Sequence, residues 1–182
     1  MKIVEAAALF IKTHEKVLRS PENTVLSYKR EISQFVDFCV DRSITAIEKI
    51  EAGHIRLFLS SLGPEIENST RAHKLAVIRS FFGFLLKEKV IEQNPCDQVG
   101  SVKTKKILPV VLNIDEVLAI LRVYDGENDA ESLRNQAVLE LLYAAGIRVS
   151  ELTGLNVSDI DIKNRVVRIF GKGSKERIVP IT

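Results

Sequence analysis

The sequence predicts a mainly α-helical protein that ends in a small β-hairpin. Most of the 182 residues carry apolar side chains at helical spacing, and near the end of the chain the apolar period changes to two. A lysine-containing stretch bounded by two prolines, without a helical stripe, separates the two regions of helical pattern. We therefore expect a helical domain over residues 1–94, an extended basic linker over 95–110 and a second domain over 111–182.

Four helices are expected in the first domain. They begin near residue 4, after a cap at Asn23 or Thr24, near residue 55 and after residues 68–70, and a proline at position 95 closes the domain. An apolar stripe indicates the second helix: Leu26, Ile32, Phe35, Val36 and Val40. The third, short helix is marked by Ile55, Leu57, Phe58 and Leu62. The residues of the fourth helix that are predicted to face inward are Leu75, Ile78, Phe81, Phe82, Leu85 and Leu86.

The second domain begins with a capping signal. Asn113 followed three residues later by Glu116 predicts a helix start, and a longer helix is expected over about 132–145, with Gly146 as its C-terminal break. The residues predicted to form the buried side of that longer helix are Ala137, Leu139, Leu141 and Leu142. Residues 166–170 and 178–181 are predicted to pair as strands, joined by the glycine-containing loop 171–176.

Composition excludes several classes of protein. The chain is 46% hydrophobic and 27% charged with a net charge of +2, which is ordinary for a globular protein and unlike a disordered or collagen-like chain. Its longest apolar runs fall far short of the roughly 18 residues that a membrane helix needs, and two cysteines do not make a disulfide framework. We expect a cytoplasmic protein with no membrane partner.

The charge is unevenly distributed along the chain. Residues 1–106 hold 17 basic and 13 acidic side chains, for a net charge of +4, whereas residues 107–182 hold 9 and 11, for a net charge of −2. A basic excess in the helical half is compatible with a polyanionic partner.

Arg148 is the first candidate functional residue. It follows Gly146, which lets the chain change direction, so its guanidinium should project from a helix end and offer two hydrogen bonds to a phosphate. Ser150 and Glu151 follow as possible supporting groups. The alternative is a surface ion pair between Arg148 and Glu151 at i,i+3 spacing.

The segment 171–177 is the second candidate. Its two glycines around Lys172 permit a tight turn between strands, which would carry Lys172, Lys175 and Arg177 at the tip of a β-ribbon. Such a tip could deliver Lys172 to a phosphodiester, or it could be an ordinary basic hairpin turn. A phosphate-binding P-loop is excluded, because that motif has a different spacing and precedes a helix.

Taken in order, the two motifs resemble those of the tyrosine recombinase (phage integrase) family, in particular the Xer-type recombinases that resolve chromosome dimers. Residues 146–152 and 171–177 carry the specific part of the resemblance. The weaker part is the run from Thr24 to Cys39, the run from Arg71 to Phe82, and Asn94-Pro95 followed by a lysine-rich linker. The resemblance extends over nearly the whole chain.

The resemblance implies a fold and a mechanism. A SAM-like core-binding domain and the N-terminal part of the catalytic domain would form a C-shaped clamp around duplex DNA, and a tyrosine would attack the scissile phosphate to give a 3′-phosphotyrosyl link. Arg148 matches the catalytic arginine that stabilises the transition state. Lys172 matches the hairpin lysine that acts as general acid, and Glu151 matches the supporting acidic residue. The family needs no metal or cofactor for this chemistry.

The family's other catalytic groups are not found among these residues. A His-x-x-Arg motif, a further His or Trp, and the nucleophilic tyrosine are expected after position 182. The histidines and tyrosines present all precede Lys172: His14, His54, His73, Tyr28, Tyr124 and Tyr143. This chain alone is therefore expected not to cleave DNA. Its implied partners are a duplex recombination site and a second recombinase, identical or paralogous, in a tetramer.

Individual basic residues are predicted to contact DNA. Arg71 and Lys74 share a face at helical spacing and are expected on the polar side of the fourth helix, where their loss should weaken DNA binding. The full set of predicted contacts is Lys29, Arg71, Lys74, Lys103, Lys105, Lys175 and Arg177. Each could instead be a solvated surface cation. The rival for the whole protein is a non-catalytic DNA-binding or assembly module, complete at this length.

Overall fold

The computed structural model describes residues 1–105, 108–171 and 175–181. Within these ranges it contains seven α-helices and one three-stranded sheet, as the sequence predicts for a mainly helical protein. The chain divides into two units, Met1–Ile107 and Leu108–Thr182. None of the helices in the described ranges is both long enough and apolar enough to span a bilayer.

The four expected helices of the first unit are present. They are α1 (Ile3–Lys16), α2 (Glu22–Asp41), α3 (Ala52–Ser61) and α4 (Asn68–Lys87). Phenylalanines from all four helices meet in the core, where the ring centroids of Phe10 and Phe81 lie 5.5 Å apart and those of Phe35 and Phe58 lie 5.2 Å apart. Each fully buried phenylalanine contributes about 1.5–3 kcal/mol through removal of apolar surface from water.

The start of α2 and some inward-facing positions differ from the prediction. Pro21, not Asn23 or Thr24, is the N-cap of α2, because its carbonyl accepts the first helical hydrogen bonds. Four apolar residues of the predicted helical patterns are exposed: Leu26, Val40, Leu57 and Leu86. Each of them lies next to a residue that takes the core position, as Leu86 follows the fully buried Leu85.

The predicted linker 95–110 begins inside the first unit. Pro95–Gln98 form a 3-10 turn capped by Asn94, whose side chain accepts the N–H of Cys96. Cys96 and Val99 are buried in the same core as the four helices. The carbonyl of Val99 also accepts a 2.7 Å hydrogen bond from Arg79. Apolar contacts therefore extend the first unit beyond the proline that was expected to end it, because two apolar residues in this short segment reach the core.

The residues described in the second unit form three helices. They are α5 (Ile114–Leu121), α6 (Ala130–Ala145) and α7 (Val149–Leu152). The capping box is confirmed at α5, where Asn113 and Glu116 exchange backbone-to-side-chain hydrogen bonds of 2.9 and 2.7 Å. Helix α6 starts two residues before the predicted position, because Asp129 accepts the N–H groups of Glu131 and Ser132.

The expected buried side of α6 is only partly buried in this structure. Leu139, Leu141 and Leu142 are half-buried, in the direction predicted, whereas Ala137 is exposed, so the prediction was wrong for Ala137. At its C-terminus α6 packs against a small core that contains Ala145, Ile147, Val167 and Ile169. This core joins the last turn of α6 to the sheet.

The sheet has the antiparallel order β1 (Ile160–Asp161), β2 (Val166–Phe170) and β3 (Glu176–Pro180). The predicted hairpin is confirmed, with Val167 paired to Val179 and Ile169 paired to Arg177. Strand β1 was not predicted, because two residues are too few to display an alternating pattern. Lys172, Gly173 and Ser174, in the loop between β2 and β3, lie outside the described residues.

Candidate active site

Arg148 stands at the break between two helices. Gly146 ends α6 in the left-handed conformation, with φ +56° and its N–H bonded to the carbonyl of Leu142 at 3.1 Å. The chain then turns through the buried Ile147, and Arg148 takes the extended backbone of an N-cap before α7. Its side chain is 76% exposed. The predicted break at Gly146 and the projection of Arg148 from a helix end are both present.

Gly146 has a left-handed backbone angle, which glycine adopts more easily than residues with a side chain. A side chain there would have open space around it, so the cost of a substitution is confined to the left-handed conformation. We predict that Gly146→Ala lowers the free energy of unfolding by about 1–2 kcal/mol. Urea unfolding followed by circular dichroism measures this difference. Gly154→Ala is the matched control, because Gly154 lies just after α7 with only ordinary contacts around it; an equal loss in both variants would contradict the explanation.

Glu151 binds Arg148 through two hydrogen bonds. Its carboxylate accepts the backbone N–H of Arg148 at 2.8 Å and the Nη1 of the same residue at 3.1 Å. The i,i+3 pair considered as an alternative is thus formed, but it is not a surface pair, since the side chain of Glu151 is only 5% exposed. A buried acidic group anchors an exposed basic one.

Arg177 on strand β3 binds the same carboxylate. Its Nη1 donates to Oε1 of Glu151 and its Nη2 donates to Oε2, both at 2.8 Å. This two-pronged geometry is the strongest arrangement that a guanidinium makes with a carboxylate. Arg177 was predicted as a DNA contact; the structure instead engages its guanidinium within the protein, between the hairpin and α7.

The hairpin loop begins next to this cluster. A Cβ added at Gly171 would lie 3.4 Å from both Oε1 of Glu151 and Nη1 of Arg177. The N–H of Gly171 donates to the carbonyl of Lys175 at 2.7 Å, and Lys175 itself is exposed. Lys172 is the next residue along the chain, and its predicted role concerns a position outside the described residues.

The cluster carries a net positive charge. The hydrogen bonds from Arg177 and, next, from the backbone of Arg148 lower the pKa of Glu151 from its ordinary 4.5 to about 2. Glu151 is therefore ionised at neutral pH and offsets one of the two guanidinium charges. The remaining positive charge, next to an exposed guanidinium, favours the approach of an anion such as a phosphate.

The lowered pKa of Glu151 predicts a pH dependence of stability. Because the folded-state pKa lies below the unfolded value, the stabilisation is complete above about pH 4.5 and is lost as the pH falls toward 2. Replacing Glu151 by Gln should remove this component of the pH dependence, measured as the free energy of unfolding at intervals from pH 6 to pH 2.5. Glu140→Gln, at an exposed position on α6, is the control. An unchanged profile in the Glu151 variant would contradict the assignment.

Three of the predicted DNA contacts of the helical unit, Lys29, Arg71 and Lys74, form bonds within the protein. Lys29 pairs with Glu15 at 2.5 Å while remaining half exposed. The guanidinium of Arg71 donates to the carbonyls of Leu59, Gly63 and Ile66, which fixes the connection between α3 and α4.

Lys74 does not lie on the polar side of α4 as expected. It is 7% exposed, and its ammonium bonds to Glu31 and Gln34 of α2. The hydrogen bond from Lys74, together with one from Arg30, lowers the pKa of Glu31 against the opposing effect of burial. Because both side chains make bonds within the protein, weaker DNA binding by the Arg71→Ala, Lys74→Ala double variant would have two explanations: loss of a DNA contact, or loss of packing inside the helical unit. Lys103 and Lys105 are exposed.

Sequence reasoning named Arg148, Glu151 and Arg177, but it did not predict that Arg177 pairs with Glu151. Glu151 and Arg177 lie 26 residues apart, and no local spacing connects them. The structure thus brings Arg148, Glu151, Arg177 and Gly171 together in the second unit. Lys29, Arg71, Lys74, Lys103 and Lys105 belong to the first unit.

Solved structures of other proteins share this fold. The Tn1549 transposon integrase in complex with circular intermediate DNA superimposes with a TM-score of 0.72 at 21% identity, over 100% of this chain and 61% of that one. A lambda integrase dimer bound to a COC′ core site gives 0.72 at 19% identity, over 99% and 62%. A lambda integrase tetramer bound to a Holliday junction gives 0.74 at 18% identity, over 99% and 51%. The fold is that of the integrases.

Sequence comparison gives the family. Residues 110–182 match the model of the phage integrase family, and residues 14–89 match that of the phage integrase N-terminal SAM-like domain. The chain therefore belongs to the phage integrase family, the tyrosine recombinases.

Named relatives of the chain are Xer recombinases. Tyrosine recombinase XerC of Pelobacter propionicus is 38% identical over 184 residues, covering 100% of this chain and 59% of the relative. XerC of Myxococcus xanthus is 40% identical over 162 residues, covering 89% and 54%. Tyrosine recombinase XerD of Staphylococcus aureus is 39% identical over 183 residues, covering 98% and 60%. The chain spans a little over half the length of these curated relatives.

Proposed function

We propose that this chain is part of a site-specific tyrosine recombinase of the Xer type, which cuts and rejoins duplex DNA through a 3′-phosphotyrosyl intermediate. One observation carries the proposal: the exposed guanidinium of Arg148 is held by the buried, ionised Glu151 at the point where the hairpin that contains Lys172 begins. The similarity to relatives named XerC and XerD supports chromosome dimer resolution as the biological role, in partitioning at cell division, and hence the cytoplasm as its location.

Arg148 would act on the scissile phosphate. Its guanidinium can donate two hydrogen bonds to non-bridging oxygens, and those bonds strengthen as negative charge develops in the pentavalent transition state. Glu151 keeps the backbone of Arg148 at the helix start and so restricts where the guanidinium can reach. No metal or cofactor is required for this electrostatic stabilisation.

Lys172 would supply the proton to the leaving group of strand cleavage. The tyrosine hydroxyl would give its proton to a base among the remaining catalytic groups as its oxygen bonds to phosphorus; the bond from phosphorus to the 5′-oxygen breaks, and the ammonium of Lys172 donates a proton to that leaving oxygen. We propose that the tyrosine and the remaining catalytic groups come from sequence after residue 182. Residues 1–182 would supply the transition-state arginine, its support and the general acid.

Both units would contribute to DNA binding. The exposed Lys103, Lys105 and Lys175 are suited to backbone phosphates, which position a protein on DNA and make its affinity depend on salt. A second recombinase, identical or paralogous, would join this protein in a tetramer on the paired DNA sites. The lambda integrase tetramer on a Holliday junction, which has the same fold, supports that arrangement.

Covalent capture from cells tests the proposal without knowledge of the target. The complete gene product is recovered under denaturing conditions, and any DNA that remains attached is sequenced. We expect one recurring duplex sequence, joined through its 3′-phosphate to a tyrosine. DNA that binds under native conditions but is lost on denaturation would instead favour the non-catalytic module, and the absence of DNA under both conditions would exclude both.

A further inference from the structure

We infer that Arg177 is a positioning residue of this site: it fixes Glu151, and through Glu151 it sets the place of Arg148 and joins the hairpin to α7. The inference rests on the proposed function and replaces the predicted role of Arg177 as a DNA contact. Its basis is the set of contacts on a single carboxylate.

Both oxygens of Glu151 are fully used. Oε1 accepts from Nη1 of Arg177 and from Nη1 of Arg148, while Oε2 accepts from Nη2 of Arg177 and from the backbone N–H of Arg148. An ionised carboxylate has about four lone-pair directions. The carboxylate therefore cannot rotate toward one arginine without losing a bond to the other.

Arg177 and Arg148 have different environments. The side chain of Arg177 is 40% exposed, whereas that of Arg148 is 76% exposed. Arg177 also makes the two shorter side-chain bonds to Glu151, at 2.8 Å compared with 3.1 Å for Nη1 of Arg148. The more enclosed arginine satisfies the buried carboxylate, which leaves the more exposed one available for a ligand.

Loss of Arg177 would change what Arg148 does. The buried Glu151 would keep Arg148 as its main cationic partner, so the guanidinium would be drawn onto the carboxylate, and the net charge of the cluster would fall from +1 to zero. Lysine at position 177 would keep the charge but would replace the two-pronged bond by a single point contact. The two substitutions therefore separate charge from geometry.

Arg177 also lies next to the start of the hairpin loop. It pairs across the sheet with Ile169, two residues before Gly171, and a Cβ at Gly171 would lie 3.4 Å from its Nη1. Gly171, the residue before Lys172, thus lies next to the Glu151–Arg177 pair. A positioning role for Arg177 would affect both groups that are proposed to act on the phosphate.

The test compares cleavage with binding in the complete gene product, on the DNA recovered by covalent capture. We expect Arg177→Lys to lower the single-turnover cleavage rate about 10- to 100-fold, the range found for residues that orient metal ligands through hydrogen bonds, as Arg177 would orient Glu151. DNA affinity should change less than about 2-fold, with the same salt dependence. A phosphate contact would instead weaken binding and reduce the salt slope by about 1. That result would overturn the inference.

The pH profile gives a readout that a purely structural role would not change. Without Arg177 the pKa of Glu151 should rise, so Arg177→Gln should acquire a loss of cleavage rate on the acid side that the unmodified protein lacks. The Arg177→Gln, Glu151→Gln double variant should lose this acid limb. An acid limb that persists in the double variant, or that is absent from Arg177→Gln, would contradict the inference.

Control variants distinguish failure of the inference from failure of the proposed function and from a folding defect. Arg168→Lys changes an exposed arginine of the neighbouring strand, paired with Glu176 at 3.4 Å, and should leave cleavage unchanged. If Arg177→Gln does not fold, as judged by thermal unfolding, the conservative Arg177→Lys variant decides. Absence of covalent DNA with the unmodified protein would overturn the proposed function, and the inference with it. Normal cleavage by Arg177→Lys would overturn the inference alone.

Discussion

Replacing Arg148 by alanine is expected to reduce DNA strand cleavage by the complete gene product about 100- to 1000-fold, the loss typical when one group that stabilises transition-state charge is removed. The guanidinium is the most exposed part of the cluster, so its removal should leave the fold intact. Arg148→Lys should restore only part of the rate, because an ammonium cannot make the bidentate contact. The measurement is the single-turnover rate of covalent complex formation.

Arg134→Ala is the matched control for this prediction. Arg134 is also an arginine of the second unit with a glutamate three residues away, but both side chains of that pair are exposed, with 3.4 Å between their charged atoms. Such pairs contribute little to stability. Equal losses in the Arg134 and Arg148 variants would contradict a specific role for Arg148 in cleavage.

Leu85→Ala is expected to destabilise the helical unit by about 2–5 kcal/mol, because a cavity is left where a leucine is fully buried. This is a large part of the 5–15 kcal/mol that typically separates folded from unfolded protein. The variant should unfold at clearly lower urea concentration, followed by circular dichroism.

The adjacent Leu86 provides the control for that measurement. It lies on the same helix and makes the same change of side chain on substitution, but it is 38% exposed. Leu86→Ala should therefore cost much less than Leu85→Ala. Similar losses at both positions would mean that the described core is not the one that stabilises the unit.

Local patterns predicted the elements of the fold well. The caps at Asn113 and Gly146 act through backbone groups only a few residues away, so the local sequence is enough to predict them. Apolar spacing found the four helices of the first unit, but it did not distinguish Leu85 from Leu86. Both are apolar at the end of one helix, and only the position of the facing helices decides which one is buried.

The partners of charged side chains were not predictable in the same way. Lys74 appeared to be a surface cation, yet it meets Glu31, which lies 43 residues earlier in the chain. Cys96 and Val99 appeared to belong to a linker, yet they complete the core of the first unit. Each of these outcomes depends on which helix lies nearby, and spacing along the chain contains no information about that.

The sequence by itself determined the helices, the hairpin, and an arginine that leaves a helix end after a glycine. These features follow from dihedral preferences and hydrogen bonds within a few residues. Only the tertiary structure decided that Arg177 binds Glu151 and that Lys74 is buried. Ion pairs form between groups that folding brings within about 3 Å, and their partners are chosen by packing between elements that lie far apart in the chain.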